Sequence, residues 1–385
     1  MQENSFSENR KFWSWIAFLV VIIGVGAWCY LRQLQLGLGI TGMSRDVSWG
    51  FYIAQFTFLV GVAASAVMVV LPHYLHDVKV FGKLTILGEL LAVSSVMMCL
   101  LFIIADLGQP QRMLNMVFHP SPRSILFWDM VVLNGYLFLN AVISWISIKA
   151  ERRGEAPPSW VRPVVYLSIF WAVSIHTVTA FIYSGLAARP FWLTAILAPR
   201  FLASAFSSGP ALLILICLLL RRLTRFDAGD EALSRLSIIV TYAMGINVFF
   251  ILMEVFTAFY SNIPEHMEHF KYLFVGLEGH HRLVPWMWTS VVLAVIALFL
   301  LVNPKTRTNH RTLTVACVAV FGSIWIDKGL GMVVAGFVPN PVGTITEYWP
   351  SLPEAMISLG IYGIGALMVT VLYRIALSVR GELRA

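Results

Sequence analysis

Charged residues are scarce in this sequence. Only 12% of its 385 residues are Asp, Glu, Lys or Arg, 58% are hydrophobic, and the mean hydropathy is +0.78. A soluble domain usually carries about 25% charged residues. Half that density cannot cover a water-facing surface, so lipid must be the solvent for most of the chain. The composition therefore excludes a cytosolic enzyme, a nucleic-acid-binding domain and a disordered protein.

Cysteine is scarce as well, and no two cysteines form a CxxC pair. Each of them lies within an apolar run, at Cys29, Cys99, Cys217 and Cys317. Sulfur in such a position usually acts as a small packing hydrophobe. We therefore predict no disulfide, no zinc or iron–sulfur site and no other metal centre on this chain.

What the sequence has instead is a series of long apolar runs. A helix needs about 20 apolar residues to cross the hydrocarbon core of a bilayer. The first run follows Arg10 and Lys11, but it lacks a cleavage pattern and is too long for a signal-peptide core, so we count it as a span. The ten predicted spans are at roughly 13–33, 48–72, 84–106, 124–148, 163–187, 203–220, 236–260, 284–303, 313–337 and 355–379.

The loop charges predict the orientation of the spans. Most of the 27 Lys and Arg residues fall on the side of the N-terminus, and cytoplasmic loops carry such an excess. We expect both termini in the cytoplasm, which agrees with an even number of spans. The outer loops carry fewer charges, among them Arg189 and Arg200, but they are longer and rich in Pro, Gly, Trp and His. Chemistry or a docking surface is therefore expected at the outer face.

Several ionisable residues fall within the predicted spans. Such a group costs at least a few kcal/mol at membrane depth and is by default a functional hypothesis. Asp327 and Lys328 point about 100° apart on a helix, so we expect them to contact different partners or to form a structural pair inside the bundle. The candidates are Glu89, Asp106, Asp129, His176, Glu254, Asp327 and Lys328.

Two carboxylates and an imidazole are predicted to share the outer part of the membrane. Asp106 ends span 3, and Asp129 lies in the second turn of span 4. His176 is about three turns from the outer end of span 5, with Tyr183 two turns above it. An imidazole between carboxylates can hydrogen-bond a carbonyl and move protons, which is the setting that a quinone needs. The alternative is that each group makes a satisfied helix–helix hydrogen bond.

The histidines argue against haem. A b-type haem needs two histidines at similar depth on facing helices. Of nine histidines only His176 lies well within a span, so we expect no haem on this chain. The histidines of the outer loops, His269 among them, are expected to be solvated, with a role as ligands for a peripheral group as the alternative.

Several short motifs carry a resemblance to a known family. They are GITGM (39–43), SWGFYI (48–53), FLVGVAAS (58–65), DLGQPQR (106–112), the segment from Ser124 to Asp129 and HTVTAF (176–181). Together they make the chain similar to the NrfD / polysulfide-reductase membrane-subunit family, in the ten-span group that includes the hydrogenase subunit HybB. Within that family it most resembles the DsrP group, the membrane subunits of the sulfite-reduction-associated DsrMKJOP complexes.

The resemblance implies an all-α integral membrane protein of about ten transmembrane helices. Spans 2–5 and 6–9 would form two antiparallel four-helix bundles, with spans 1 and 10 flanking them. The N-terminal tail, span 1 and an outer loop would occupy residues 1–47, and the first bundle 48–190. The second bundle would occupy 191–340, and an outer loop, span 10 and the C-terminal tail 341–385.

The resemblance also implies a quinone, menaquinone in such anaerobes, bound in the first bundle near the outer face. Carried over by position, Asp106, Asp129 and His176 would line the headgroup site as its catalytic residues. The residues expected close to the quinone are Trp49, Arg112, Trp128, Thr177 and Tyr183. Asp129 matches a Glu in HybB-type subunits. Some relatives have a His near the start of span 2, where this chain has Asp-Val-Ser at 46–48.

Family members exchange electrons with a ferredoxin-like iron–sulfur subunit that docks on the outer loops. The resemblance therefore implies a quinone redox subunit rather than a complete enzyme, located in the bacterial inner membrane. Its partners would be that periplasmic subunit, a multihaem cytochrome c and other membrane and cytoplasmic redox subunits. The complex would serve sulfite or sulfate reduction, with electrons passing in either direction.

Two alternatives remain open. In an ion- or proton-translocating subunit, Glu89, Glu254 and the Asp327–Lys328 pair would be the working residues, and the two glutamates are also candidates for a proton path in a quinone subunit. Transporters tend to have spans that are broken near the midplane, and Ser-Ser-Gly-Pro at 207–210 is a weak signal of such a break. A purely structural membrane anchor without a ligand is the second alternative.

Overall fold

The computed structural model describes residues 2–383. This part of the chain is almost entirely helical and contains no strand, since its one β-type contact is an isolated bridge, so the predicted all-α class is confirmed. Within these described residues, ten helices are long and apolar enough to cross a membrane, as predicted. They are α1 (Arg10–Leu36), α2 (Phe51–Leu75), α3 (Lys79–Asp106), α4 (Ile125–Arg153), α5 (Val161–Ser184), α6 (Leu197–Leu223), α7 (Asp230–Tyr260), α8 (Val284–Val302), α9 (His310–Ala335) and α10 (Leu352–Val379).

The helix ends follow local sequence signals. α4 ends at Arg153 because Gly154 adopts a left-handed conformation with φ of 68°. α10 begins with a capping box, in which the Ser351 hydroxyl and the Glu354 carboxylate accept hydrogen bonds from each other's backbone amides. α6 begins at Leu197, before the predicted start near residue 203. That extra turn places Arg200 inside a helix rather than in an outer loop.

Contacts between loops show which helix ends lie together. Asp46 in the α1–α2 loop accepts hydrogen bonds from Asn340 at 3.2 Å and Thr346 at 2.9 Å, both in the α9–α10 loop. At the opposite end of the helices, Arg380 after α10 donates to Glu151 of α4 at 2.8 Å. We call the first end the outer end and the second the inner end.

α2 is the most enclosed of these helices, since 94% of the residues in its apolar stretch are buried. It packs against α3, α6 and α9. Around it, α4 packs against both α3 and α5. α7 packs against α6, and α8 packs against α9. α1 lies along α10, and the two backbones approach most closely at Gly26 and Gly360. The division into two bundles, with the domain boundaries given above, stays a prediction.

Two of the ten helices are irregular in their interior. α2 contains a single 3₁₀ turn at Ala63–Ser65, and α9 contains a π-helix at Trp325–Gly331. α6 continues through Pro210 without a break, so the sequence signal for a broken span pointed to the wrong helix. π-Helical turns inside α-helices are frequent at functional sites, which draws attention to α9.

Candidate functional site

One face of α5 buries three polar side chains in a row. His176, Thr179 and Tyr183 are spaced three and four residues apart, so they lie on the same side of the helix. None is more than 1% exposed. This polar face begins at the outer end of α5 and continues for two turns toward the middle of the helix.

At the outer end of this face, Tyr183 is held between α2 and the outer loops. Its hydroxyl makes a short hydrogen bond with Thr57 of α2, and the Thr57 hydroxyl in turn donates to the Ile53 carbonyl at 2.7 Å. Because Thr57 has only one hydroxyl proton, Tyr183 is the donor in the first bond. The Tyr183 ring meets Trp49 at 5.5 Å in an edge-to-face contact.

One turn deeper, α4 contributes a carboxylate. Asp129 is 4% exposed, and its Oδ1 lies 2.7 Å from the Thr179 hydroxyl. The same hydroxyl lies 2.8 Å from the Ile175 carbonyl of its own helix. An ionised Asp129 accepts a hydrogen bond from the Thr179 hydroxyl. A protonated Asp129 can instead donate a hydrogen bond to Thr179 while Thr179 donates to the Ile175 carbonyl. Both protonation states are therefore accommodated without a change of geometry.

His176 lies deepest and has one free nitrogen. Its Nδ1 is 2.6 Å from the Ala172 carbonyl. A carbonyl can only accept a hydrogen bond, so Nδ1 carries the proton and Nε2 is the basic nitrogen of the neutral ring. Nε2 is buried, and no residue between 2 and 383 forms a hydrogen bond with it.

A cavity of about 410 Å³ opens at the outer end beside Trp49, and it falls within the size range of small-molecule sites. Trp49 joins the two features, since it lines this cavity and also contacts Tyr183. Arg189 and Phe337 line the cavity as well, with the guanidinium 4.4 Å from the centre of the Phe337 ring. Partial burial lowers the pKa of Arg189, and the nearby Asp46 opposes that effect.

The other predicted site residues are not hydrogen-bonded to this polar face. Asp106 is half-buried at the outer end of α3, and its Oδ1 has no hydrogen-bond partner within the described chain. Thr177 donates to the Val173 carbonyl of its own helix. Arg112 is exposed, and Trp128, 45% exposed, donates to the Pro122 carbonyl. Their roles stay predictions.

The two buried glutamates have different surroundings. Glu89 of α3 is 2% exposed and accepts a hydrogen bond of 3.3 Å from Ser144 of α4. Glu254 of α7 accepts one of 2.6 Å from Arg200 of α6. Arg200 also binds both carboxylate oxygens of Asp327 on α9, at 2.9 and 2.8 Å. The sequence analysis missed this buried ion cluster because it placed Arg200 in a loop.

Lys328 does not share the partners of its neighbour Asp327, as the helix geometry predicted. Its side chain is buried, and its ammonium lies 4.1 Å from the centre of the Phe201 ring. No hydrogen-bond acceptor for it is found among residues 2–383.

The sequence analysis expected His269 to be solvated, and the structure corrects this expectation. His269 is only 3% exposed, because its short helix, Pro264–Phe274, packs under the α9–α10 loop.

Known proteins match this chain over most of its length. The family model for polysulphide reductase, NrfD, matches residues 39–327. A putative dimethyl sulfoxide reductase membrane protein of Halobacterium salinarum is 28% identical over 95% of this chain and 91% of its own length. The Hdr-like menaquinol oxidoreductase integral membrane subunit of Archaeoglobus fulgidus is 22% identical, with 94% and 93% covered. The menaquinone reductase integral membrane subunit of Nitratidesulfovibrio vulgaris is 23% identical, with 94% and 91% covered.

Proposed function

Because this chain belongs to the polysulphide reductase NrfD family, we propose that it is the quinone-interacting membrane subunit of a multi-subunit electron-transfer complex. Two relatives that match almost its whole length are integral membrane subunits, one of an Hdr-like menaquinol oxidoreductase and one of a menaquinone reductase. The ten apolar helices and the family together make it a multi-pass membrane protein.

One observation supports the proposal most directly. The polar face of α5, with Asp129 bonded to Thr179, begins at Tyr183, and Tyr183 contacts the same Trp49 that lines the outer cavity. We propose that the quinone headgroup lies in this cavity against the Trp49 ring. Arg189 can donate a hydrogen bond to a ring oxygen there, and the hydrocarbon tail can extend between the helices into lipid.

A quinone takes up or releases two electrons and two protons per turnover. The chain supplies the groups that hold those protons. Tyr183 donates to Thr57 at the cavity end of the polar face, Asp129 accepts or gives a proton through Thr179, and His176 offers a basic Nε2 further in. Asp106, at the outer end of α3, is proposed as a further acid near the headgroup. Positioned proton transfer of this kind contributes roughly 10²–10⁴-fold to a rate.

The finer assignments belong to the same proposal. We propose menaquinone as the quinone, and a periplasmic iron–sulfur subunit, with a multihaem cytochrome c and other redox subunits, as the partners on the outer loops. We propose that both termini lie in the cytoplasm, because cytoplasmic loops carry an excess of Lys and Arg and the loops at the inner end are basic. The resemblance to the DsrP group would link the complex to sulfite or sulfate reduction.

The experiment is a map of the intact complex together with quinone extraction from the purified sample. We expect headgroup density in the cavity and a stoichiometric quinone, and we expect Trp49→Ala to lose both. Trp288→Ala is the matched control, because Trp288 is also a tryptophan at the outer end of a helix, 53% exposed and bonded to the Phe274 carbonyl. Absence of quinone from the native complex, or density at another site, would refute the proposal.

A second function is favoured by the π-helix of α9 and the ion cluster of Arg200, Glu254 and Asp327. Irregular helices next to buried charges are typical of ion-translocating proteins. If this chain is an ion-translocating subunit, liposomes that contain it without any redox partner should show ion flux across their membrane. Ion flux under those conditions would favour this function over quinone chemistry.

A further inference from the structure

We propose that Lys328 and His176 bind one ordered water molecule between α9 and α5, together with Ser208 of α6, and that the three form an internal proton-holding site. The packing and the unpaired polar atoms of these residues support the binding site. Its role in moving protons rests on the quinone function proposed above.

Lys328 supplies the donors. Its side chain is 3% exposed inside the π-helix of α9, and its ammonium has three N–H groups but no hydrogen-bond acceptor within the described chain. The face of the Phe201 ring compensates only part of the cost of burying this charge. An unsatisfied buried charge is strongly unfavourable, so the ammonium requires a polar neighbour.

His176 supplies the acceptor on the facing helix. Its Nδ1 proton is committed to Ala172, so Nε2 is left as a lone pair without a donor. The Val60 carbonyl of α2 lies near the ring, but it makes no hydrogen bond with Nε2. The charge of Lys328 is close enough to act on the imidazole ring. A donor without an acceptor therefore lies near an acceptor without a donor, with no direct bond between them.

Gly61 of α2 provides the space. A Cβ at this position would lie 3.4 Å from Lys328 Nζ and 3.2 Å from Ser208 Oγ. The Ser208 hydroxyl donates to the Ser204 carbonyl at 2.9 Å, which leaves its oxygen free to accept. A buried water typically makes about three hydrogen bonds. Nζ, Nε2 and Ser208 Oγ together offer that number, and the lack of a side chain at residue 61 keeps the space beside Nζ and Ser208 Oγ free.

The surrounding charges balance when Lys328 is protonated. Arg200 carries one positive charge, and Glu254 and Asp327 carry two negative charges when ionised, so a protonated Lys328 makes the group of four neutral. On the other side, Asp129 is bonded to Thr179, one turn from His176 on the same face of α5.

The remaining titratable group near Lys328 is Cys99 of α3, while α2 and α8 present no ionised side chain to it. In the proposed step, the Lys328 ammonium gives a proton to the water, and the water gives one of its own to His176 Nε2. One N–H bond breaks and one forms. The products are a neutral amine and an imidazolium, with the total charge unchanged.

The binding site is tested by a map of the intact complex at a resolution that shows waters. We expect one density peak at hydrogen-bond distance, about 2.7–3.2 Å, from both Nζ and Nε2. Gly61→Ala should lose this peak while the complex still assembles, because it adds a single methyl group beside Nζ and Ser208 Oγ, where the water is proposed to bind. Gly245→Ala is the matched control, since nothing lies within 4 Å of the Cβ position of that helical glycine. No peak in the native complex, or direct contact between Lys328 and His176, overturns the proposal.

The role is tested by the pH profile of quinone-linked turnover. We expect Gly61→Ala and Lys328→Met to shift the profile, whereas Lys305→Met, at an exposed lysine, leaves it unchanged. If the complex with Lys328→Met does not assemble, the pH profile of the Gly61→Ala complex is the test. An unchanged profile in Gly61→Ala refutes the proton role. If the native complex shows no quinone turnover, the proposed function is refuted instead. The water site is still tested by the map, which does not depend on turnover.

Discussion

The hydroxyl of Thr179 on α5 lies 2.7 Å from Oδ1 of Asp129 on α4 and 2.8 Å from the carbonyl of Ile175. A hydroxyl with one proton can serve only one of these acceptors at a time. The pair therefore has two hydrogen-bonded states, one with Asp129 ionised and one with Asp129 protonated. A carboxyl group that keeps its bond in both states is suited to passing a proton rather than only holding two helices together.

Asp129→Asn should separate these two roles. The amide oxygen can still accept from Thr179, so the helices pack as before, but the side chain no longer takes up a proton. We expect quinol-linked turnover to fall by at least about 100-fold, with normal assembly of the complex. Glu265→Gln, which removes an exposed carboxylate at the same end of the helices, should have no effect. Normal turnover in Asp129→Asn would rule out its proton role.

The sequence predicted much of this arrangement because the cost of charge in lipid is large. That cost alone identified Asp129, His176 and Lys328 as buried residues of interest. It did not reveal Arg200, because an arginine three residues into a helix looks like a loop charge when the apolar run begins after it. The cavity beside Trp49 was not predictable either, since its walls come from three loops that are distant in sequence.

The ion cluster should be important for stability. Within residues 2–383, Arg200 is the one partner shared by Glu254 and Asp327, and all three side chains are at most 11% exposed. Arg200→Met would leave two buried carboxylates without their cation, a loss that typically costs about 3–5 kcal/mol. We expect a large drop in the midpoint of thermal unfolding in detergent.

Arg235→Met provides the comparison for this drop. Arg235 pairs with Glu231 one turn away at an exposed position, where ion pairs contribute about 0–1 kcal/mol. Equal midpoints for the Arg200 and Arg235 variants would show that the buried cluster does not stabilise the fold.

The contact between α1 and α10 depends on two glycines. A Cβ at Gly26 would lie 2.7 Å from the Cα of Gly360, closer than packed atoms can approach. We expect Gly26→Val to separate the helices and cost about 1–3 kcal/mol, as overpacking typically does. Gly24→Val is the matched control, because nothing lies within 4 Å of its Cβ position. Thermal unfolding and protease sensitivity of α1 measure the effect, and similar values for both variants would contradict this packing.

Acidification should loosen the outer loops through His269. Burial, with the Phe191 ring 5.2 Å away, lowers the pKa of His269 below its ordinary value of 6.5. The nearby charges of His266 and Arg189 act in the same direction, and the Val338 and Ala335 carbonyls only partly oppose them. The unfolded segment therefore binds a proton at a higher pH than the folded one.

The stability that His269 contributes is therefore complete above about pH 6.5 and is lost as the pH falls toward the lowered pKa. Hydrogen exchange of residues 264–274 and 335–340, corrected for the intrinsic rate, should show weaker protection at pH 5 than at pH 7.5. We expect His269→Gln to remove most of this pH dependence, leaving the smaller share of His266, whose pKa burial also lowers. His119→Gln, at an exposed histidine, should change nothing. Protection that is independent of pH in the native chain would mean that His269 is not held neutral by its buried setting.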